Sequence, residues 1–331
     1  MFSRILVEND CFERPIVQTL RERFSNIEFK SIDKIENYFG RVKKPYLEKR
    51  NELQLFIGKK RGELVKEAPP AYGLSGEPHY YYVHSYNCIY ECEYCYLQGH
   101  FDSPDLVWFI NHEEIIEEMK GVLSRYQERV WFHAGEFSDS LALSHLTNEL
   151  SEFHQFFREY PRAQWELRTK SVNIKEILKL GPLPNLYVSF SLSPEEESRA
   201  IDLKTPGLKA RLEAMKKLAV EKFQLGIHFD PIVYSDDFLT KYQKLIQQIC
   251  DHQMNEQIAY ISLGVVRFTK DVYHQVQKNY PNSIIHSSEF IKGSDNKIRY
   301  PRPMRLWMLQ KVKSLCIEAG IDEEKIYLCM E

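Results

Sequence analysis

Near the N-terminus an extended apolar run, RILVEN, precedes a stretch around 16–24 with helical spacing, and a second strand-like run, LQLFIG, ends at residue 58. These predict a small α/β unit over residues 1–60. Residues 61–78, rich in charge, proline and glycine, break the pattern and read as a linker. From residue 79 onward strands and helices alternate. The aromatic, β-favouring run HYYYVHSY (79–86) comes first. Ile115, Ile116, Met119, Val122, Leu123 and Tyr126 then fall at helical spacing, with Asn111 as the N-cap and Glu114 in the capping-box position. Strands are predicted at 130–134, 165–169, 187–193, 223–233 and 258–266, and helices at 141–158, 207–220 and 237–253. Six strands separated by helices predict parallel βα units, closed fully or partly into a barrel related to the TIM fold, over residues 79–331 with a C-terminal extension. Chemistry in such a barrel sits at the C-terminal ends of its strands.

Composition narrows the class. Among 331 residues, 43% are apolar, enough for a sizeable core, and the net charge of −3 supplies no global field toward nucleic acid or membrane. A nucleic-acid partner would have to be met by a local patch. The N-terminus lacks the apolar run of a signal peptide, and no stretch approaches the roughly 18 apolar residues of a membrane helix. A soluble cytoplasmic monomer is therefore expected, with its thiols in a reducing compartment.

That makes the segment SYNCIYECEYCYLQGH (85–100) informative. Cys88, Cys92 and Cys95 stand in C-x3-C-x2-C spacing just after the first predicted barrel strand, with tyrosines between and around them. Clustered thiols in a reducing compartment point to metal or redox chemistry. Structural zinc needs a fourth ligand, which only His84 or His100 offers nearby. Three thiolates suit a four-iron cluster that leaves one iron without a protein ligand. Buried free thiols are the remaining reading. The other cysteines, Cys11, Cys250, Cys316 and Cys329, form no CxxC pair and read as buried thiols, although a flexible tail would let Cys329 reach the barrel mouth.

The cysteine spacing followed by Tyr96 resembles the signature of the radical SAM superfamily. The resemblance narrows to the spore photoproduct lyase family through CEYCYLQ, RILVEN, VWFIN, RTK (168–170), FSLS (190–193) and VRFTK (266–270). It implies a partial (β/α)6 TIM-like radical SAM barrel with a small N-terminal α/β unit. It further implies a [4Fe-4S] cluster on Cys88, Cys92 and Cys95, whose open iron takes the amino and carboxylate groups of S-adenosyl-L-methionine. One electron, from a small donor such as flavodoxin or ferredoxin, then yields a 5′-deoxyadenosyl radical. In the repair reaction that radical abstracts hydrogen from a thymine–thymine adduct in DNA, the linking carbon–carbon bond cleaves, and hydrogen returns to the product radical.

Carried over by motif, Lys170 and Ser191 match SAM-contacting positions, as do Ser138 and Ser193, and Tyr94 and Tyr96 match a hydrogen-return chain. Each has a plainer alternative: Lys170 as a solvated lysine, the serines as structural hydroxyls, the tyrosines as packing around the cysteines. FHAGEFSDS (132–140) departs from the family, because Glu136 stands where the repair enzyme carries its hydrogen-donating cysteine. AGEF instead resembles the GGEP-type segment that holds the methionine amino group, which makes Glu136 a SAM contact and leaves another substrate open. A non-catalytic zinc protein that binds nucleic acid is the alternative from a different class.

A DNA face is expected at residues 292–305, KGSDNKIRYPRPMR, where five basic residues meet one acidic residue, with Trp307 just beyond. Arg299 suits phosphate contact there and Tyr300 suits stacking on a base, with Arg267 and Lys270 as further basic candidates. A solvated, proline-rich surface loop is the alternative.

Overall fold

A computed structural model of the protein describes residues 2–41, 45–69 and 76–329. Six parallel strands form its centre and lie side by side in chain order: His79–Tyr82, Val130–His133, Ala163–Thr169, Leu186–Ser191, Gln224–Ile232 and Ile258–Val265. They are the first to sixth barrel strands below. Val65–Glu67 adds an antiparallel strand at one edge and Ile326–Leu328 a parallel one at the other. The edges do not pair with each other, so the curled sheet is a partial barrel.

The barrel strands are buried on both faces yet obey a period of two. Trp165, Leu167, Val188, Phe190, Ile227 and Phe229 belong to the large core under the helices. The intervening His133, Glu166, Ser189 and His228 turn into the lumen and bond to one another there. Glu166 is their hub, and it also accepts from Tyr260 Oη at 2.5 Å. Gly226 makes that reach possible: a Cβ there would lie 2.4 Å from Tyr260 Cζ.

A second sheet of five strands runs in the order Phe29–Ile32, Arg4–Glu8, Gln54–Gly58, Leu106–Phe109, Ser85–Tyr86, parallel except for the last. The boundary expected at 61–78 is therefore displaced. Val65–Glu67, inside the expected linker, joins the barrel sheet, while Ser85–Tyr86 and Leu106–Phe109, beyond it, join the N-terminal one. Residues 70–75 of that linker lie outside the described residues. The cysteine loop thus leaves from one strand of the N-terminal sheet and returns to its neighbour.

Two local expectations also shift. The helix expected at 141–158 begins only at Glu149 and runs to Glu159. Asp139 Oδ1 accepts from the N–H groups of Leu141 and Ala142 at 3.0 and 2.8 Å, holding a turn, and Ala142, Leu143 and Leu146 pack into the core of the N-terminal sheet instead. Asn111 is the N-cap of helix His112–Leu123, but its side chain does not cap it. The amide spans to Lys60, accepting from its N–H at 2.9 Å and donating to its carbonyl at 3.0 Å.

After the sixth strand, Arg267–Phe268, Ile291–Lys292 and Ile298–Arg299 form a small antiparallel sheet over the barrel mouth, and helix Arg302–Glu318 follows. Among the described residues no helix is long and apolar enough to cross a membrane.

Candidate functional site

The loop bearing the cysteines is braced from both sides. Arg50, buried at the end of the N-terminal unit, donates through Nη2 to the carbonyls of Ile89 and Tyr90 at 2.9 Å each and Cys88 at 3.3 Å. Its Nε meets Glu91 at 3.0 Å. One guanidinium therefore satisfies three successive loop carbonyls, a task suited to its fixed fork of donors. On the opposite side, Glu91–Cys92 pairs with Asp202–Leu203 as a short antiparallel ladder. Asp202 accepts from the Tyr94 phenol and from Arg211 at 3.0 Å, and neither side chain of that ion pair is exposed.

Cys88, Cys92 and Cys95 line one cavity of about 140 Å³, together with Tyr94, Tyr96, Glu136, Ser138, Lys170 and Ser191. Burial pushes all three thiols up from their ordinary values, so they need a positive centre to ionise. A zinc–thiolate bond of about 2.3 Å would hold all ligands of one ion within about 4.6 Å of each other. Among the described residues, the three sulfurs do not lie within 4.8 Å of one another, nor does His84 or His100 complete such a group. Three thiolates on one loop are a donor set that would suit a four-iron cluster with one iron left open.

The cavity continues into a second one of about 340 Å³ that shares Tyr94, Cys95, Tyr96, Glu136, Arg168, Lys170 and Ser191. His228, Asp230, Arg267, Thr269 and Lys297 complete its wall. Both cavities open at the C-terminal ends of the barrel strands.

Most of the SAM-contact candidates converge here. Burial works against the charge of Lys170, but Cys92 and Asp202 outweigh it and raise its pKa, and Nζ lies 5.5 Å from the centre of the Tyr94 ring. Its backbone N–H donates to Asp139 at 2.7 Å, which also takes the Thr169 hydroxyl at 2.6 Å. Lys170 is half-buried and lines both cavities. Tyr96 Oη donates to the Glu136 carbonyl at 2.5 Å and lies 3.3 Å from its carboxylate. Burial raises the Glu136 carboxyl despite the nearby Arg168 guanidinium. Ser138 meets His84 at 3.3 Å. Ser193 is buried outside both linings, because the strand Leu186–Ser191 ends at Ser191 and its alternation no longer sets the direction of Ser193.

The expected DNA face is only partly assembled. Arg267 lines the larger cavity, forked onto Asp230 at 3.0 and 3.2 Å. Lys270 is exposed at the start of helix Lys270–Asn279 and outside the linings, and Arg299 is tied to Asp295 at 3.0 Å. Tyr300 corrects the expectation of a stacking residue. Its ring is fully buried against Phe290, with centroids 4.7 Å apart, and its hydroxyl accepts from the Tyr234 N–H at 3.1 Å. Trp307 packs on Phe238 along the last helix. Lys297, which was not singled out, is the hairpin cation that reaches the cavity wall.

Cys329 sits on no free tail. It is buried, its N–H donates to the Leu263 carbonyl at 2.8 Å, and the charges of Asp230, Arg267 and Arg168 act on its thiol. The residues that sequence reasoning missed are Arg50, Asp139, Arg168, Asp202, Arg211, His228 and Asp230. The only available signal was period two along 166–170, which puts Arg168 and Lys170 on one face.

The family model described as spore photoproduct lyase matches residues 3–303. The spore photoproduct lyase of Bacillus subtilis (strain 168) is 24% identical over 297 residues, covering 86% of this chain and 84% of that protein. The Clostridium acetobutylicum enzyme of the same name is 19% identical, with the same 86% and 84% covered. Among solved structures, a spore photoproduct lyase double mutant with bound AdoMet and dinucleoside spore photoproduct superposes with a TM-score of 0.84 at 19% identity, covering 99% of this chain and 98% of that one. A spore photoproduct lyase complexed with dinucleoside spore photoproduct gives 0.83 at 18% identity, with the same 99% and 98% covered.

Proposed function

The chain belongs to the spore photoproduct lyase family of radical SAM lyases, and on that premise we propose that it cleaves a thymine-type lesion in DNA, using one [4Fe-4S] cluster held by Cys88, Cys92 and Cys95. One observation carries the reading: the three thiols open onto a cavity that runs directly into a larger, cation-lined one. A cofactor seated at the cysteines would therefore face whatever occupies the larger space. When bound, the cluster and SAM supply the 5′-deoxyadenosyl radical. The electron comes from a small carrier such as flavodoxin or ferredoxin.

The protein's own residues position and shield. Lys170 and Ser191 offer donors to the carboxylate and ribose of SAM, and Ser138 a third hydroxyl. Glu136 places a carboxylate for the cationic amine. Tyr96, bonded to Glu136, and Tyr94, bonded to Asp202, stand where hydrogen returns to the product, and their rings keep water from the cysteines. Arg267, oriented by Asp230, and Lys297 meet the phosphates flanking the lesion.

Anaerobic purification should give a brown, iron- and sulfide-containing protein that forms 5′-deoxyadenosine when reduced and restores the two linked thymines in DNA carrying the spore photoproduct. Cys88→Ala should lose SAM cleavage, and a fully active variant would remove the cluster assignment. A second reading rests on Glu136, since a carboxylate cannot donate a hydrogen atom as a thiol does. The same chemistry would then act on another substrate, and robust SAM cleavage without reversal of the lesion would favour it.

A further inference from the structure

His228 is 1% exposed and lines the larger cavity, but not the one that holds the three cysteines. Its Nε2 lies 2.7 Å from Glu166 Oε1. Glu166 is itself 1% exposed and crowded by donors: Ser189 Oγ at 2.7 Å and Tyr260 Oη at 2.5 Å on the same oxygen, with His133 on the other. Burial opposes its charge, yet Arg168, His133 and His228 together hold the carboxyl well below the usual range.

A carboxylate only accepts, so the His228 proton sits on Nε2 and the lone pair on Nδ1. Burial and the Arg168 charge bring the ring down to about 4, which keeps it neutral at physiological pH. The lumen network therefore presents a fixed, uncharged acceptor to a cavity wall that also carries donors from Arg168, Lys170, Arg267 and Lys297 and the carboxylate of Glu136. Asp230 adds little as an acceptor, because both its oxygens are taken by Arg267. A neutral acceptor beside cationic donors suits an uncharged heterocycle with an N–H flanked by carbonyls, joined to phosphates. That is the pattern of a pyrimidine imide in a nucleotide.

We propose that His228 is a specificity-determining residue whose Nδ1 accepts the imide N–H of a pyrimidine ring in the substrate. The assignment rests on the proposed action on a thymine-type lesion. Glu166 is the positioning residue, because its bond to Nε2 selects the tautomer that leaves Nδ1 bare. His228 lines the larger cavity and not the cysteine cavity, and the inference assigns its contact to the substrate rather than to SAM.

The test uses cluster-loaded protein with SAM and no reductant, and measures affinity for dinucleoside spore photoproduct and for the same compound methylated at both imide nitrogens. Wild type should prefer the unmethylated ligand roughly ten- to a hundredfold, the range of an unmade buried hydrogen bond. His228→Phe should bring that preference close to one without changing SAM affinity. His228→Asn, whose amide oxygen reaches the place of Nδ1, should restore part of it. Glu166→Gln, which frees the tautomer, should lower it. A His228→Phe variant that folds and keeps the full wild-type preference overturns the inference. A fall in SAM affinity matching the fall in ligand affinity overturns it too, by moving His228 to the cofactor. Wild type that binds SAM but neither ligand refutes the thymine-lesion reading itself, and a wild type that binds both equally refutes only the role of His228.

Discussion

Replacing Arg211 by methionine would strip five acceptors of one guanidinium in the wall behind the cysteine loop. Arg211 donates to Asp202 and the Ser191 carbonyl at 3.0 Å each, the Pro206 carbonyl at 2.8 Å, and the hydroxyls of Thr205 at 2.6 Å and Ser198 at 3.4 Å. Neither Arg211 nor Asp202 exposes its side chain, so the variant leaves a buried carboxylate with the Tyr94 phenol as its remaining hydrogen-bond partner and the charge of Lys170 nearby. Removing one member of a buried pair costs about 3–5 kcal/mol, most of it from the orphaned charge. Asp202→Asn should therefore relieve Arg211→Met, leaving the double variant about 2 kcal/mol more stable than the sum of the single effects. The assay is anaerobic urea unfolding of cluster-free protein under reducing conditions, read as the shift in midpoint at constant slope. An Arg211→Met loss below about 1 kcal/mol, or strict additivity with Asp202→Asn, would refute the view that this pair holds the loop. Since Asp202–Leu203 is the ladder partner of Glu91–Cys92, iron content should fall with stability in the single variant and recover in the double.

Burial raises the Glu136 carboxyl above its ordinary 4.5, so folding favours the protonated form and disfavours the ionised one. Glu136→Gln should match wild type in thermal stability of the ligand-free protein near pH 4.5 and exceed it increasingly as pH rises through the folded pKa; a constant difference would contradict the shift. Tyr300→Phe leaves the Tyr234 N–H without its acceptor and should cost about 1 kcal/mol in urea unfolding while lesion affinity is unchanged; unchanged stability with weakened lesion binding would instead assign the hydroxyl to the lesion. In deuterated solvent, Tyr96→Phe should lower deuterium incorporation into the restored thymine, and unaltered incorporation would exclude this tyrosine from hydrogen return.

Where reasoning from sequence succeeded, the signal was local. C-x3-C-x2-C is complete within eight residues, and six apolar runs alternating with helical periodicity suffice to order a parallel sheet, because period and spacing reflect backbone geometry. Ser191 and Lys170 were reachable by motif at strand ends. Tyr300 shows the limit. A tyrosine between basic residues reads as a base-stacking group, yet the short hairpin tucks it onto Phe290 and the backbone of Tyr234, and burial of an aromatic ring outweighs its exposed neighbours.

By itself the sequence determined the cysteine loop and the order of the barrel strands. The tertiary structure decided what those features face. Arg50 lies 38 positions before Cys88, and Asp202 is 108 positions after Tyr94, so no spacing rule connects them. The lumen network on Glu166 likewise gathers Ser189, His228 and Tyr260 from three further strands, which only curling of the sheet brings onto one carboxylate. Long-range contacts of this kind follow from which face of each strand turns inward and how far the sheet closes, and both are set by the packing of the whole chain.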